Sequence, residues 1–182
     1  MSDTRVELPV RVLFVDDTDG TRSLISAALL RQLSADIGEG RFETSGFGAS
    51  GAGQLPGEVA AHLEARGVSV NAVPHGALEG TNIVINLAED EGFAPDVHPN
   101  AGVVEAHWPT VDPMAFEPAA RERAISDVFE ICRARVDHLV RLPTASLEER
   151  QAIQTIATNA KPEIHPEDYP ASYGVTTKPE PT

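Results

Sequence analysis

The sequence predicts an α/β fold, a three-layer sandwich in which a four-stranded parallel sheet lies between flanking helices. Two short apolar runs, 10–15 (VRVLFV) and 82–87 (NIVINL), are typical of strands buried on both faces. Apolar residues at helical spacing follow the first run and recur later, and alternating strands and helices favour a layered parallel sheet. With 182 residues, 41% of them hydrophobic, the chain is large enough for one core and too apolar for wholesale disorder.

The elements can be assigned in order along the chain. The first strand is followed by a polar, glycine-containing stretch, 16–23, and then by a helix that ends near Gly38. The glycines between 46 and 53 predict a tight turn beside that stretch. The longest helix has one continuous apolar face. The expected elements are strand 10–15, helix 25–36, strand 41–45, helix 55–66, strand 82–87, strand 102–106 and helix 118–142.

The chain contains no repeat and no internal linker, so one domain, residues 8–142, is expected. After Pro143 the apolar pattern weakens. A short helix is expected over 147–157, and a proline-rich polar tail follows it. Residues 143–182 are therefore predicted to form a C-terminal extension that is partly irregular or disordered.

Charge and cysteine content exclude several functions. Lys and Arg number 14 against 28 Asp and Glu, a net charge of -14, so a nucleic-acid partner is not expected. The single cysteine, Cys132, excludes an intrachain disulfide and any cysteine-rich metal site. It lies in the apolar face of the longest helix, which predicts a packed, inert thiol. The lack of an apolar run near the roughly 18 residues of a membrane span, and of a leader sequence, predicts a cytoplasmic protein with no membrane partner.

Residues 16–23 (DDTDGTRS) are the first candidate site, because ligands of α/β folds bind beyond the carboxyl ends of the strands. The sixth residue after Asp16 is Arg22, and Ser23 and a helix follow it. With its strand and helix (VLFVDDTDGTRSLISAALL), this pattern resembles the low-molecular-weight protein tyrosine phosphatase and thiol-dependent arsenate reductase superfamily. Members of that superfamily follow their first strand with Cys, five residues, Arg-Ser and a helix.

The resemblance extends over about residues 10–142. Residues 41–53 (RFETSGFGASGAG) are similar to the second strand and Ser-Ala-Gly corner of the superfamily. Residues 107–113 (HWPTVDP) are similar to the Trp segment of the arsenate reductases, which ends in Asp-Pro. The final helix (ERAISDVFEICRARVDHLV) matches in placement and pattern. These segments occur in the right order and imply the low-molecular-weight phosphatase-like fold.

The resemblance also implies a site. The superfamily's loop wraps backbone N–H groups around an oxyanion, an arrangement that amide nests at helix N-termini support. Arg22 is then the oxyanion clamp, Ser23 the loop hydroxyl and Asp112 the general acid, with His107 and Trp108 on the pocket wall unless they only pack. The implied oxyanion-binding loop consists of Asp16, Asp17, Thr18, Asp19, Gly20, Thr21, Arg22 and Ser23.

The position of the nucleophile departs from the superfamily, because Asp16 stands where its members have cysteine. Thiol-based phosphatase or arsenate reductase activity is therefore not expected. Two unit charges about 4 Å apart interact by about 4 kcal/mol at an effective dielectric of about 20, so the loop carboxylates should repel a phosphate dianion. We expect the Asp16 carboxylate to occupy the amide nest itself, paired with Arg22. This predicts a catalytically degenerate oxyanion-binding or regulatory module without a cofactor, acting on a small oxyanion or a protein partner.

An alternative interpretation begins one residue later. The string from Asp17 to Thr21 (DTDGT) resembles the first motif of haloacid-dehalogenase-type phosphotransferases, in which two aspartates perform the chemistry and help to hold Mg²⁺. It implies an Asp-dependent, Mg²⁺-assisted phosphatase or hydrolase that uses Asp16 or Asp17 with Asp112, Asp17 and Asp19 being the metal ligands. The downstream lysine of that motif set is not evident, because both lysines lie in the last 22 residues.

Overall fold

The computed structural model describes residues 9–37, 40–51, 53–71, 75–90, 92–94 and 102–160. Two 3₁₀ turns, Pro113–Ala115 and Thr144–Glu148, connect the later elements. The strands are β1 (Val10–Asp16), β2 (Phe42–Gly48), β3 (Ile83–Asn86) and β4 (Val104–His107). The helices are α1 (Thr21–Ile37), α2 (Gly57–Ala65), α3 (Pro118–Arg141), α4 (Arg150–Gln154) and α5 (Ile156–Asn159). Among the described residues, no helix is long and apolar enough to cross a membrane.

The four strands form one parallel sheet in the order β2-β1-β3-β4. β1 is central, and its Val12 lies opposite Thr44 of β2 and Ile83 of β3. The four-stranded parallel sheet with flanking helices is thus confirmed. Because all strands run the same way, their carboxyl ends meet at one edge, where Asp16 ends β1 and His107 ends β4. This edge carries the candidate site.

The main core lies on the face of the sheet that carries Val12 and Phe14. On this face α1 is buried over most of its first turns and contacts β1, β2 and α3. α2 packs against α3, with the ring of His62 edge-on to Phe129 at 5.6 Å between centroids. The described helices therefore contribute to one common core.

The opposite face of the sheet carries a second, smaller cluster. It consists of Leu13, Val15 and Val84, with Phe47 and Val103 packed against it. Within the described residues, the chain between β3 and β4 contains no helix, and α2 lies with α3 on the other face.

The core extends beyond residue 142. Leu147, Ile153 and Ile156 are all buried at 2% exposure or less and belong to the main core. The predicted boundary between domain and extension thus lies inside packed structure, because the segment 144–160 covers the β4 edge of the sheet. Residues 8 and 161–182, the end of the predicted extension among them, lie outside the described residues.

The end of β2 differs from the expected tight turn. Gly46 and Gly48 lie in the strand, which ends at Gly48. A Cβ atom at Gly46 would lie 2.9 Å from the backbone of Ser23, and one at Gly48 would lie 2.1 Å from the backbone nitrogen of Gly20. These glycines therefore allow β2 to approach the 16–23 loop closely, as glycine does inside a strand.

Candidate functional site

The 16–23 loop wraps around the carboxylate of Asp16. This side chain is fully buried, with 0% exposure. Its Oδ1 accepts hydrogen bonds from the backbone N–H groups of Thr18 (3.0 Å) and Gly20 (3.1 Å). Its Oδ2 accepts one from the N–H of Ser23 at 3.0 Å. The carboxylate thus occupies a nest of three amides at the N-terminus of α1, an environment that favours a negative charge.

The Arg22 side chain is anchored to two neighbouring segments. It is buried at 1% exposure in the first turn of α1. Its Nη1 donates to the carbonyl oxygens of Leu87, just after β3, and Thr110, after β4, at 3.3 and 2.7 Å. These bonds fix the position of the guanidinium and connect the segments that follow β1, β3 and β4.

The carboxylate nearest to Arg22 is that of Asp17, whereas the expected pairing with Asp16 is longer. Nη2 donates to Oδ1 of Asp17 at 2.6 Å and to Oγ1 of Thr18 at 3.0 Å. The Asp16 Oδ1 lies 4.0 Å from Nη2, at the limit of an ion pair. The cause is the amide nest, whose three N–H groups hold Asp16, whereas Asp17, with 30% of its side chain exposed, turns back onto Arg22.

Asp17 and Asp19 point to different partners. Oδ1 of Asp19 accepts the backbone N–H of Thr21 at 3.0 Å, at the start of α1, while Asp17 binds Arg22. In the described part of the chain, no group of three or more His, Cys, Asp or Glu side chains is arranged to hold a metal ion. The residues as placed therefore do not fit a magnesium site at Asp17 and Asp19.

Residues 49–51, the corner that follows β2, pack against the 16–23 loop and form hydrogen bonds with it. The N–H of Ala49 donates to the carbonyl of Asp16 at 3.0 Å, and the N–H and Oγ of Ser50 donate to the carbonyl of Thr18 at 2.8 and 2.9 Å. A Cβ atom at Gly51 would lie only 1.8 Å from the carbonyl oxygen of Asp19. This close contact between backbones makes the loop conformation depend on the corner.

Asp112 lies near the loop as the resemblance implies. It precedes a 3₁₀ turn, and its Oδ1 accepts the N–H of Met114 at 3.0 Å. Burial raises the pKa of the Asp112 carboxyl, and the charges of Asp19 and Asp16 add to this, against the opposing effects of the Met114 hydrogen bond and of Arg22. Asp112 thus keeps a proton to higher pH than an ordinary aspartate, as a general acid requires.

His107 and Trp108 lie on opposite faces of the sheet, because successive side chains alternate along a strand. Trp108 is a core residue with 1% exposure, and its Nε1 donates to the carbonyl of Ile153 at 2.9 Å. The expected pocket-wall role of Trp108 is therefore corrected. His107 lines a cavity on the face away from α1, with Nε2 2.6 Å from the carbonyl oxygen of Ala88.

Arg135 on α3 supports the site and was missed at the sequence level. Its Nη1 donates to the carbonyls of Trp108 and Pro109, both at 3.1 Å, and to Oγ1 of Thr110 at 2.8 Å. Burial lowers the pKa of the Arg135 guanidinium. Arg135 thus holds the segment whose carbonyl binds Arg22. The available signal is an arginine beside the apolar face of α3.

Cys132 is buried in the core, and burial raises the pKa of its thiol. A protonated, enclosed thiol is a poor nucleophile. A hydrogen bond with Ser26 of α1 and the charges of Arg135 and Arg22 oppose the effect of burial on this pKa, and the charge of Asp16 adds to it.

No protein-family model and no curated protein matches the sequence. Several solved structures match the fold. An arsenate reductase from Archaeoglobus fulgidus DSM 4304 is 20% identical and aligns over 71% of this chain and 98% of its own, with a TM-score of 0.52. The chain has the fold of the arsenate reductases and low-molecular-weight tyrosine phosphatases.

Two further structures agree with this assignment. A thioredoxin-dependent arsenate reductase from Corynebacterium glutamicum is 21% identical, with 74% of this chain and 61% of that chain covered and a TM-score of 0.52. A protein tyrosine phosphatase from Entamoeba histolytica is 12% identical, with 72% and 93% covered and the same TM-score. At these identities the likeness establishes the fold, and the fold implied by the sequence resemblance is confirmed.

Proposed function

We propose that this protein is a catalytically silent, phosphatase-like regulatory module in which Asp16 takes the place of the nucleophilic cysteine and fills the oxyanion site. The observation that carries the proposal is the set of three amide hydrogen bonds to the buried Asp16 carboxylate. A carboxylate is a weak nucleophile when both of its oxygens are held in this way. It is also covalently attached, so an incoming oxyanion competes with it at a large disadvantage.

Charge supports the same conclusion. Asp16, Asp17, Asp19 and Asp112 lie at or near the loop, with Arg22 as the cation among them. Another structure of this fold, an arsenate reductase 15% identical to this chain, is in a phosphate-binding state. We infer that phosphate would be the natural probe of the nest here, and that the wild-type loop binds it weakly. Regulation through a protein partner that contacts the fixed loop fits this arrangement better than turnover.

The test is a phosphatase assay with p-nitrophenyl phosphate, with and without Mg²⁺, together with vanadate binding measured by calorimetry. The wild-type protein should show no turnover. Asp16→Cys places a thiol in the nest and should gain phosphatase activity or vanadate affinity. The matched control is Asp17→Cys, which places a thiol one residue outside the nest and should gain neither.

An Asp-dependent hydrolase is the second candidate, and the raised pKa of Asp112 favours it. In that case Asp112 would protonate the leaving oxygen, and Asp16 or Asp17 would act as nucleophile. Wild-type activity that is lost in both Asp17→Asn and Asp19→Asn would establish this enzyme and overturn the silent loop. Dependence of that activity on Mg²⁺ would show that the carboxylates rearrange around the ion.

A further inference from the structure

A cavity of about 250 Å³ lies at the carboxyl ends of β3 and β4, on the face of the sheet away from α1. Ligands of α/β folds commonly bind at this end of the strands. Val84, Phe93 and Ala94 contribute apolar surface to it. None of residues 16–23, all of which are described, lines the cavity. It is therefore separate from the Asp16 loop, and its occupancy does not depend on the function proposed for that loop.

Two opposite charges line this cavity, and neither has a partner among the described residues. Glu105 lies on β4, and Arg150 is the first residue of α4. Neither side chain forms an ion pair or a hydrogen bond in the described part of the chain, whether with the other or with a third residue. Both residues are solvent-exposed, so a simple anion would complement only Arg150 and a simple cation only Glu105. A ligand with both charges satisfies both residues.

The other polar side chains that the described residues place in the wall, those of Asn86 and His107, already have hydrogen-bond partners. The Asn86 side chain donates through Nδ2 to the carbonyl of Phe93 at 3.1 Å and accepts the N–H of Ala88 at 3.0 Å, so its amide is used. Nε2 of His107 lies 2.6 Å from the carbonyl oxygen of Ala88. Because a carbonyl only accepts, Nε2 is the donor in this contact, and in the tautomer with its proton on Nε2 the Nδ1 atom is an acceptor. The described part of the wall thus offers the Arg150 cation, the Glu105 anion and a ring nitrogen of His107.

We propose that this cavity binds a free α-amino acid with an apolar side chain. The carboxylate pairs with Arg150, the ammonium group donates to Glu105 and to Nδ1 of His107, and the side chain contacts the apolar wall near Val84. The cavity is smaller than the roughly 300–1,000 Å³ of sites for drug-sized ligands, which suits a ligand of this size. Arginine pairs with carboxylates through two parallel N–H bonds, which adds direction to the charge.

The experiment titrates the full-length protein with each of the twenty free L-amino acids and records binding by calorimetry. At least one amino acid with an apolar side chain, leucine being the first probe, should bind. Leucinamide lacks the carboxylate and N-acetyl-leucine lacks the ammonium group, so each should bind about tenfold more weakly or worse, as expected for a lost hydrogen bond between charged groups. Equal binding of leucine and both derivatives, or binding of none of the twenty at millimolar concentration, would overturn the proposal.

Variants assign the two charges. Arg150→Gln should weaken leucine binding by about tenfold or more and abolish the preference for leucine over leucinamide. Glu105→Gln should abolish the preference for leucine over N-acetyl-leucine. The matched controls, Arg133→Gln and Glu64→Gln, change exposed residues on α3 and α2 outside the cavity and should leave binding unchanged. Preferences that survive in both cavity variants, with the folded state confirmed by unfolding curves, would refute the assignment.

Discussion

Replacing Asp16 by serine should destabilise the protein by about 3–5 kcal/mol, because buried amide donors lose a charged acceptor. The structure accounts for this magnitude. Three amide hydrogen bonds to a charged acceptor are lost, each with a net value of about 1.5–3 kcal/mol. The serine hydroxyl can replace part of one hydrogen bond, and Asp17 still neutralises the charge of Arg22. The loss of stability is therefore smaller than the sum of the three hydrogen-bond values.

Phosphate should reverse much of this loss, because the emptied nest and the nearby Arg22 form a site for a tetrahedral anion. At a free phosphate concentration one hundred times the Kd, the gain is about 2.7 kcal/mol. The wild-type protein should gain only the general stabilisation that phosphate gives any folded protein. Urea unfolding at fixed ionic strength measures both, with the fluorescence of the single, buried Trp108 as the signal.

Asp137→Ser is the control variant, because Asp137 is an exposed aspartate whose ion pair with Arg141 should contribute less than about 1 kcal/mol. A loss of less than about 1 kcal/mol in Asp16→Ser, typical of a surface substitution, would refute the buried nest. Equal stabilisation of the wild-type and variant proteins by phosphate would refute the idea that Asp16 fills the anion site.

Three other predictions concern the support of the site. Gly51→Ala should destabilise by about 1–3 kcal/mol, because its Cβ would overlap the loop backbone, whereas Gly57→Ala, with open space around the new Cβ, should not. Gln154→Ala should cost about 1–3 kcal/mol and speed amide exchange at His107, since it removes two hydrogen bonds at the sheet edge. Burial and a nearby arginine lower the pKa of His62, so lowering the pH through its unfolded value of about 6.5 should reduce stability in the wild type relative to His62→Gln.

Each of these predictions has a clear contrary result. Equal urea midpoints for the two glycine variants would mean that the backbone around Gly51 accommodates a Cβ atom without a loss of stability. Unchanged exchange at His107 would mean that the edge is protected by something other than Gln154. Parallel pH profiles for the wild type and His62→Gln would mean that the folded and unfolded states bind the proton equally at that ring.

Sequence reasoning predicts those features that depend on neighbouring residues. The continuous apolar face of α3 placed that helix at 118–142, one residue beyond its observed end at Arg141. The Asp16 carboxylate in the amide nest also follows from local chemistry, because a short loop before a helix directs its N–H groups inward. These features are local in sequence and need no knowledge of the rest of the chain.

The features that sequence reasoning missed depend on distant contacts. The carbonyls that bind Arg22 belong to residues 65 and 88 positions away, so its hydrogen bonds could not be assigned from the loop alone. Gly46 and Gly48 resemble turn residues locally but serve a close contact with the loop. Leu147 lies in a 3₁₀ turn and Ile153 in the short helix α4, and they became core residues because the sheet edge requires cover.

The side chain of Gln154 affects self-association of the protein through the β4 edge of the sheet. Its Oε1 accepts the N–H of His107 at 2.8 Å, and its Nε2 donates to the carbonyl of His107 at 2.7 Å. An amide that offers one donor and one acceptor in this way imitates the peptide group of an additional strand. A strand from another molecule could pair with the sheet edge at His107 only by displacing the Gln154 side chain. Gln154 therefore disfavours edge-to-edge association of two copies of the protein.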